Sequence, residues 1–265
     1  MEVKEICPPV ELGEGPYWCE EQSALYYVDI TQGNVHRYFT KTNTRQTLHV
    51  EPTESGGSVS LVVPVKGRGN DFIVSIGRSL GLVNWPLDAP DHHITKAQIL
   101  HTVDSASPSN RFNDGKCDPQ GRLWAGTMGK GDDPDETQRE KGSLFYLDSR
   151  NQLTHWITKV TISNGMAWSQ DRKTFYYIDS LTYCLDTFDY EDDSGKISNR
   201  RLVIDFKKAG IPEMPDGMTI DVEGNLWVAF FFGSKVVCIE PGSGHVLREV
   251  RLPAQNITSV CWGDE

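Results

Sequence analysis

No stretch of the 265-residue sequence approaches the roughly 18 consecutive apolar residues that a membrane-spanning helix needs, which excludes a helical membrane protein. The opening segment, MEVKEICPPVELGEGP, has acids among its first residues and lacks the apolar core that drives export, so a chain without a signal peptide is expected. The six cysteines (Cys7, Cys19, Cys117, Cys184, Cys238 and Cys261) stand singly, with no CxxC pair. At that density they predict free thiols in a reduced, cytoplasmic setting, and the sequon Asn256-Ile257-Thr258 reads as chance. Basic residues are the minority: 26 Lys and Arg against 37 Asp and Glu leave a net charge of -11, which repels phosphate backbones and anionic membranes. Nucleic-acid and membrane partners are therefore not expected. An HExxH pair, a Walker loop and a Rossmann glycine pattern are all missing, which disfavours zincin and nucleotide-driven chemistry. Long amphipathic helices are missing too; the nearest candidate, SNRRLVIDFKKAG from Ser198, reads equally well as strand and loop.

What the chain does contain is aromatic residues (10%), 24 glycines and a repeat. Strand-like runs of aromatic and β-branched residues recur as LYYVD from Leu25, FIVSI from Phe72, LWAGT from Leu123, FYYID from Phe175 and LWVAF from Leu226. Their spacing of about 50 residues is that of propeller blades. Four runs share a longer template: EGPYWCEEQSALYYVD, DGKCDPQGRLWAGT, NGMAWSQDRKTFYYID and DGMTIDVEGNLWVAF. Asp118-Pro119-Gln120-Gly121 and Asp221-Val222-Glu223-Gly224 supply turn chemistry between two strands, with Asp at the first position and Gly at the fourth. Antiparallel hairpins at this spacing predict an all-β chain, a single six-bladed β-propeller domain over residues 1–265. TSVCWGDE, from Thr258, matches the start of a further copy, so the last blade is expected to be incomplete and the product less stable than a longer relative.

The residue before the template glycine is Glu14, Asp114, Asn164 and Asp216 in successive copies. Equivalent positions on a propeller converge at one end of the central channel, where carboxylate and amide oxygens without Cys or His suit a hard divalent cation. Asp-Gly and Asn-Gly are also ordinary turn dipeptides, and that is the competing reading for any single copy. The shared register of four copies favours a site. His92-His93 fits a surface loop better than a metal pair, since adjacent residues on a strand face opposite ways. DYEDDSGKIS, from Asp189, lacks the spacing of a calcium-binding loop and reads as a hairpin turn. Trp18, Trp124, Trp168 and Trp227 recur with the template and are expected in blade cores.

With that position located, the sequence resembles the regucalcin family, also known as the senescence marker protein 30 or gluconolactonase-like family, which includes the luciferin-regenerating enzyme of fireflies. The segments GEGPYW, RFNDGKCDPQGRLWAGTM, ISNGMAWS, FYYIDS, FDYEDDSGKISNRR and PDGMTIDVEGNLWVA carry the resemblance, in family order. It implies a six-bladed propeller, one divalent cation (Ca2+ foremost, with Zn2+, Mg2+ or Mn2+ as alternatives) and hydrolysis of sugar lactones. Its metal ligands fall on Glu14, Asn164 and Asp216, and its sugar contacts on Arg111 and Asn113; Asp114 is left outside the ligand set. The cation would polarise the lactone carbonyl and lower the pKa of a water, with Asp216 as general base. Arg111 and Asn113 would donate to hydroxyls and to charge on the carbonyl oxygen. The sequence departs from the family after GTM, where members carry acids in a lid: here Gly129-Lys130-Gly131 intervenes, acids resume at Asp132 and Asp133, and GKGDDPDETQREKG has the composition of a mobile loop. The expected protein is a cytoplasmic monomer acting on a small lactone. The alternatives are a Ca2+-binding regulator without turnover and a hydrolase of a luciferin-type compound.

Overall fold

A computed structural model of the chain describes residues 2–131 and 136–263. The chain divides into two units, Met1–Asn113 with Cys261–Glu265, and Asp114–Val260. Among the described residues no helix is long and apolar enough to cross a membrane.

In the first unit, β1 (Gly13–Cys19), β2 (Ala24–Asp29), β3 (Asn34–Phe39) and β4 (Thr44–Val50) follow one another as an antiparallel meander. The second meander holds β5 (Val62–Pro64), β6 (Asp71–Ile76), β7 (Ser79–Asn84) and β9 (Gln98–Thr102). Between β7 and β9, β8 (His93–Thr95) leaves its own sheet and pairs in parallel with β4, Leu48 opposite His93. Arg37 anchors this return: its guanidinium stacks over the Trp85 ring at 4.1 Å and donates to the Pro86 and Leu87 carbonyls at 2.7 and 3.1 Å. The His92-His93 expectation is therefore corrected in half. His92 is an exposed turn residue with φ of 58°, but His93 opens a strand. Tyr26, Val28, Leu48, Phe72, Val74 and Trp85 are buried together in the core of this unit.

The second unit carries three further four-stranded meanders. They are β10 (Arg111–Cys117), whose first residues belong to the other unit, with β11 (Leu123–Met128), β12 (Gly142–Leu147) and β13 (Leu153–Val160); β14 (Ser163–Trp168), β15 (Thr174–Asp179), β16 (Cys184–Glu191) and β17 (Lys196–Asp205); and β18 (Met214–Ile220), β19 (Leu226–Phe231), β20 (Lys235–Glu240) and β21 (His245–Arg251). The ambiguous segment from Ser198 resolves as strand followed by turn, and DYEDDSGKIS as the β16–β17 hairpin, closed by Gly195 N–H to the Glu191 carbonyl at 2.8 Å.

All five sheets are blades of the β-propeller kind, and the chain is all-β. The further copy of the template at the C-terminus forms no strand from Thr258 to Trp262.

The repeated tryptophans do more than pack. Asp118 accepts the backbone N–H groups of Gln120 and Arg122 on one oxygen, closing the Asp-x-x-Gly turn. Its other oxygen receives the Arg122 Nε at 2.6 Å, the Tyr190 hydroxyl at 2.8 Å and the Trp124 indole at 3.0 Å. The last blade repeats the device, with Glu223 and Asn225 N–H groups and the Trp227 indole on Asp221. Each aspartate thus binds its own turn to the first aromatic of the following run.

Candidate metal and substrate site

The template dipeptides lie in strands, not in turns. Glu14 pairs with Val28 and Tyr17 with Tyr26, so β1 holds an extra residue between them. The same shift occurs between Ser163 and Met166 in β14, and between Pro215 and Met218 in β18. A β-bulge leaves a residue outside the ladder and re-aims its side chain, and here it recurs at Glu14, Asn164 and Asp216, the oxygen-bearing position of three of the four copies. The turn reading of Glu14-Gly15, Asn164-Gly165 and Asp216-Gly217 is excluded by this geometry.

Crowding explains the glycine. A Cβ on Gly165 would stand 2.6 Å from the Met218 Cβ and 2.8 Å from the Asp216 carbonyl oxygen, closer than real contacts allow. β14 and β18 therefore touch backbone to backbone at this point, which brings Asn164 and Asp216 onto adjacent strands of the second unit. A Cβ on Gly217 would in turn collide with Ser259, and Gly217 N–H donates to the Thr258 carbonyl at 2.7 Å. In the first unit Gly15, at φ of 54°, faces the Ser60 carbonyl just ahead of β5. Ser60 is thus the second blade's counterpart of Glu14, hidden from the repeat because no glycine follows it.

Glu14, Asn164 and Asp216 are all buried. A Glu14 carboxylate oxygen accepts the Gly15 N–H at 2.8 Å, and Asp114 accepts the Gly115 N–H at 2.7 Å in the same manner. Burial raises the Asp114 carboxyl above the usual carboxylate range, against the pull of the Lys116 charge and the Gly115 N–H. Asn164 donates its amide N–H to Ser180 Oγ at 2.8 Å, which turns its Oδ1 the other way; that oxygen is buried with no hydrogen-bond partner. In the first unit the Arg111 guanidinium donates to Asn113 Oδ1 at 2.7 Å and to the Phe112 carbonyl at 3.0 Å, so the two expected sugar contacts form one rigid pair. Glu14 also belongs to the first unit, whereas Asn164 and Asp216 belong to the second. Among the described residues no cluster of three or more His, Cys, Asp and Glu could hold a metal by itself. The expected ligand set, two carboxylates and one amide, is of another kind.

Two supporting aspartates went unassigned in the sequence. Asp29, the last residue of LYYVD, accepts the N–H groups of Glu11 and Leu12 just ahead of β1. Asp179, the last residue of FYYID, accepts those of Thr161 and Ile162 just ahead of β14, and burial raises its carboxyl. The shared final Asp of these two runs was the available sign. After Met128, the Lys130 carbonyl accepts the Gln138 N–H at 2.9 Å; Asp132 and Asp133 lie outside the described residues.

Residues 12–265 match the model of the SMP-30/Gluconolactonase/LRE-like region. The chain is 40% identical to regucalcin of Pongo abelii over 253 residues, covering 96% of this chain and 79% of that one. Among solved structures it is similar to a luciferin-regenerating enzyme, at 35% identity and a TM-score of 0.89, over 96% of this chain and 81% of the other. It also shares its fold with a calcium-binding protein, regucalcin, of Agrobacterium tumefaciens, with a TM-score of 0.81 at 21% identity, over 95% of this chain and 78% of the other. The bulged repeat, the oxygen residues it carries and these matches agree, and the chain belongs to the SMP-30/gluconolactonase/LRE-like family.

Proposed function

We propose that the protein is a divalent-cation-dependent lactonase that opens sugar lactones, with Glu14, Asn164 and Asp216 holding the cation and Arg111 and Asn113 holding the substrate. The observation that carries this reading is the Asn164 amide: fixed by Ser180, it keeps a buried oxygen acceptor with no hydrogen bond, a costly arrangement unless a ligand takes it up. Oxygen donors without thiol or imidazole fit a hard ion, with Ca2+ first and Mg2+, Mn2+ or Zn2+ as alternatives. The bound cation would contribute Lewis acidity toward the lactone carbonyl. Asp216 takes a proton from the attacking water as its oxygen bonds to the carbonyl carbon, and returns that proton to the ring oxygen as the ester C–O bond breaks. Arg111 and Asn113 donate to substrate hydroxyls and to the negative charge on the carbonyl oxygen.

The reading includes a six-bladed ring, a cytoplasmic monomer and a small-molecule substrate. Its test is hydrolysis of glucono-δ-lactone with and without chelator, in the wild type and in Asp216→Ala. Activity should vanish with chelator, and fall by about a thousandfold or more in the variant with the fold retained. Full activity in Asp216→Ala would overturn its role as base. The names borne by the regucalcin relatives support a second reading, a Ca2+-binding protein without turnover. Calcium binding with no hydrolysis across a panel of lactones would select it.

A further inference from the structure

Asp114 shares the register of Glu14, Asn164 and Asp216, yet the proposed ligand set leaves it without a task. The residue two positions later separates its copy from the others. Where the other three copies carry Pro16, Met166 and Met218, this one carries Lys116. Met166 and Met218 are buried apolar side chains, so an apolar residue fills this place well; an ammonium there costs desolvation and needs partners. Lys116 is half-buried, and its Nζ donates to the main-chain carbonyl of Met218 at 2.7 Å, across 102 residues of sequence. Met218 is where β18 regains its pairing with β19, opposite Val228, immediately after the bulge that holds Asp216. Asp114, also half-buried, lies two residues before Lys116 on the same strand, near enough for the two charges to interact, and it is itself tied to the Gly115 N–H.

We propose that Lys116, with Asp114 as its counter-charge, is a positioning residue for Asp216: it ties β10 to β18 at the end of the bulge and so fixes where that carboxylate points. A charge-assisted bond to a carbonyl is among the stronger hydrogen bonds, and this one joins two strands that are not neighbours in any sheet. It gives Asp114 a role that is neither metal ligation nor turn formation. The catalytic part of the inference rests on the reading of Asp216 as ligand and base; the tie itself does not.

The experiment compares Lys116→Met, Lys116→Arg and Asp114→Asn with the wild type in two measurements. Backbone amide exchange in chelator, which needs neither cation nor turnover, should rise about tenfold in Lys116→Met over residues 214–220 and stay unchanged over 163–168. Lys116→Arg should match the wild type, and Asp114→Asn should lie between. In glucono-δ-lactone hydrolysis, kcat should fall about tenfold in Lys116→Met with KM within about threefold, and Lys116→Arg should restore most of it. Unchanged exchange at 214–220, or a rise spread equally over 163–168, overturns the tie. Raised local exchange with unchanged kcat overturns the positioning role. A wild type without lactonase activity sinks the enzymatic reading instead, while the exchange result still decides the tie. Should Lys116→Met fail to fold, Asp114→Asn carries both measurements.

Discussion

Ser180 decides what Asn164 can offer. An amide side chain can present either its oxygen or its nitrogen, and the bond from Asn164 Nδ2 to Ser180 Oγ selects the oxygen. Ser180 itself is fully buried, so water cannot take over its role without rearrangement. Groups that orient a ligand in this way typically cost about 10–100-fold in metal affinity when removed. Ser180→Ala should therefore weaken Ca2+ binding in calorimetric titration by at least about tenfold, while its melting temperature stays near that of the wild type. Equal affinity in the variant would show that the orientation of Asn164 is set elsewhere. Glu14, Asn164 and Asp216 were legible as letters because each precedes a glycine in a repeated frame. Asp29 and Asp179 showed only as the shared last letter of their runs and Ser180 not at all, because their effect arises from strand pairing, such as Ser163 opposite Asp179.

At the scale of the strand and hairpin, turn chemistry was the most legible feature, and its consequences were only partly so. Asp118-Pro119-Gln120-Gly121 closes as expected, with Gly121 N–H on the Asp118 carbonyl at 2.9 Å and Gly121 at φ of 83°. The carboxylate then reaches beyond its hairpin, to Tyr190 on β16 and to Arg122, which itself donates to the Asp192 and Asp193 carbonyls at the β16–β17 turn. Two blades are thereby joined through one side chain with no exposure to solvent. Asp118→Ala would leave the Arg122 guanidinium buried without its anion, a change that costs about 3–5 kcal/mol. Denaturant melts should show a loss of that size, several times larger than for Asp221→Ala, whose carboxylate is held by backbone N–H groups, the Asn225 amide and the Trp227 indole. A loss below about 1 kcal/mol, the scale of an exposed ion pair, would refute this account. The short β5 hairpin and the parallel strand β8 escaped the sequence for a simpler reason. Each is a three-residue strand, too short for periodicity to register, and the segment leading into β8 is held by Arg37 on Pro86 and by the Thr47 N–H on Asp91, both from far earlier in the chain.

Over the whole molecule, the acidic excess and the proposed cation act on the same quantity. A net charge of -11 opposes compaction through self-repulsion, and the proposed site buries the carboxylates of Glu14 and Asp216. An ion that binds only the folded chain relieves that cost and adds stability by mass action, ~2.7 kcal/mol when it is present at about 100 times its Kd. With an unfolding entropy near 2.1 cal/mol/K per residue, a chain of 265 residues converts this into a rise in melting temperature of roughly 5 °C. Chelator should therefore lower the melting temperature of the wild type by about 5 °C, and readdition of Ca2+ should restore it. In Asp216→Ala the melt should begin near the chelated value and respond to neither addition. A calcium-dependent shift that persists undiminished in Asp216→Ala would move the ion away from Glu14, Asn164 and Asp216, and the catalytic scheme built on that ligand set would fall with it.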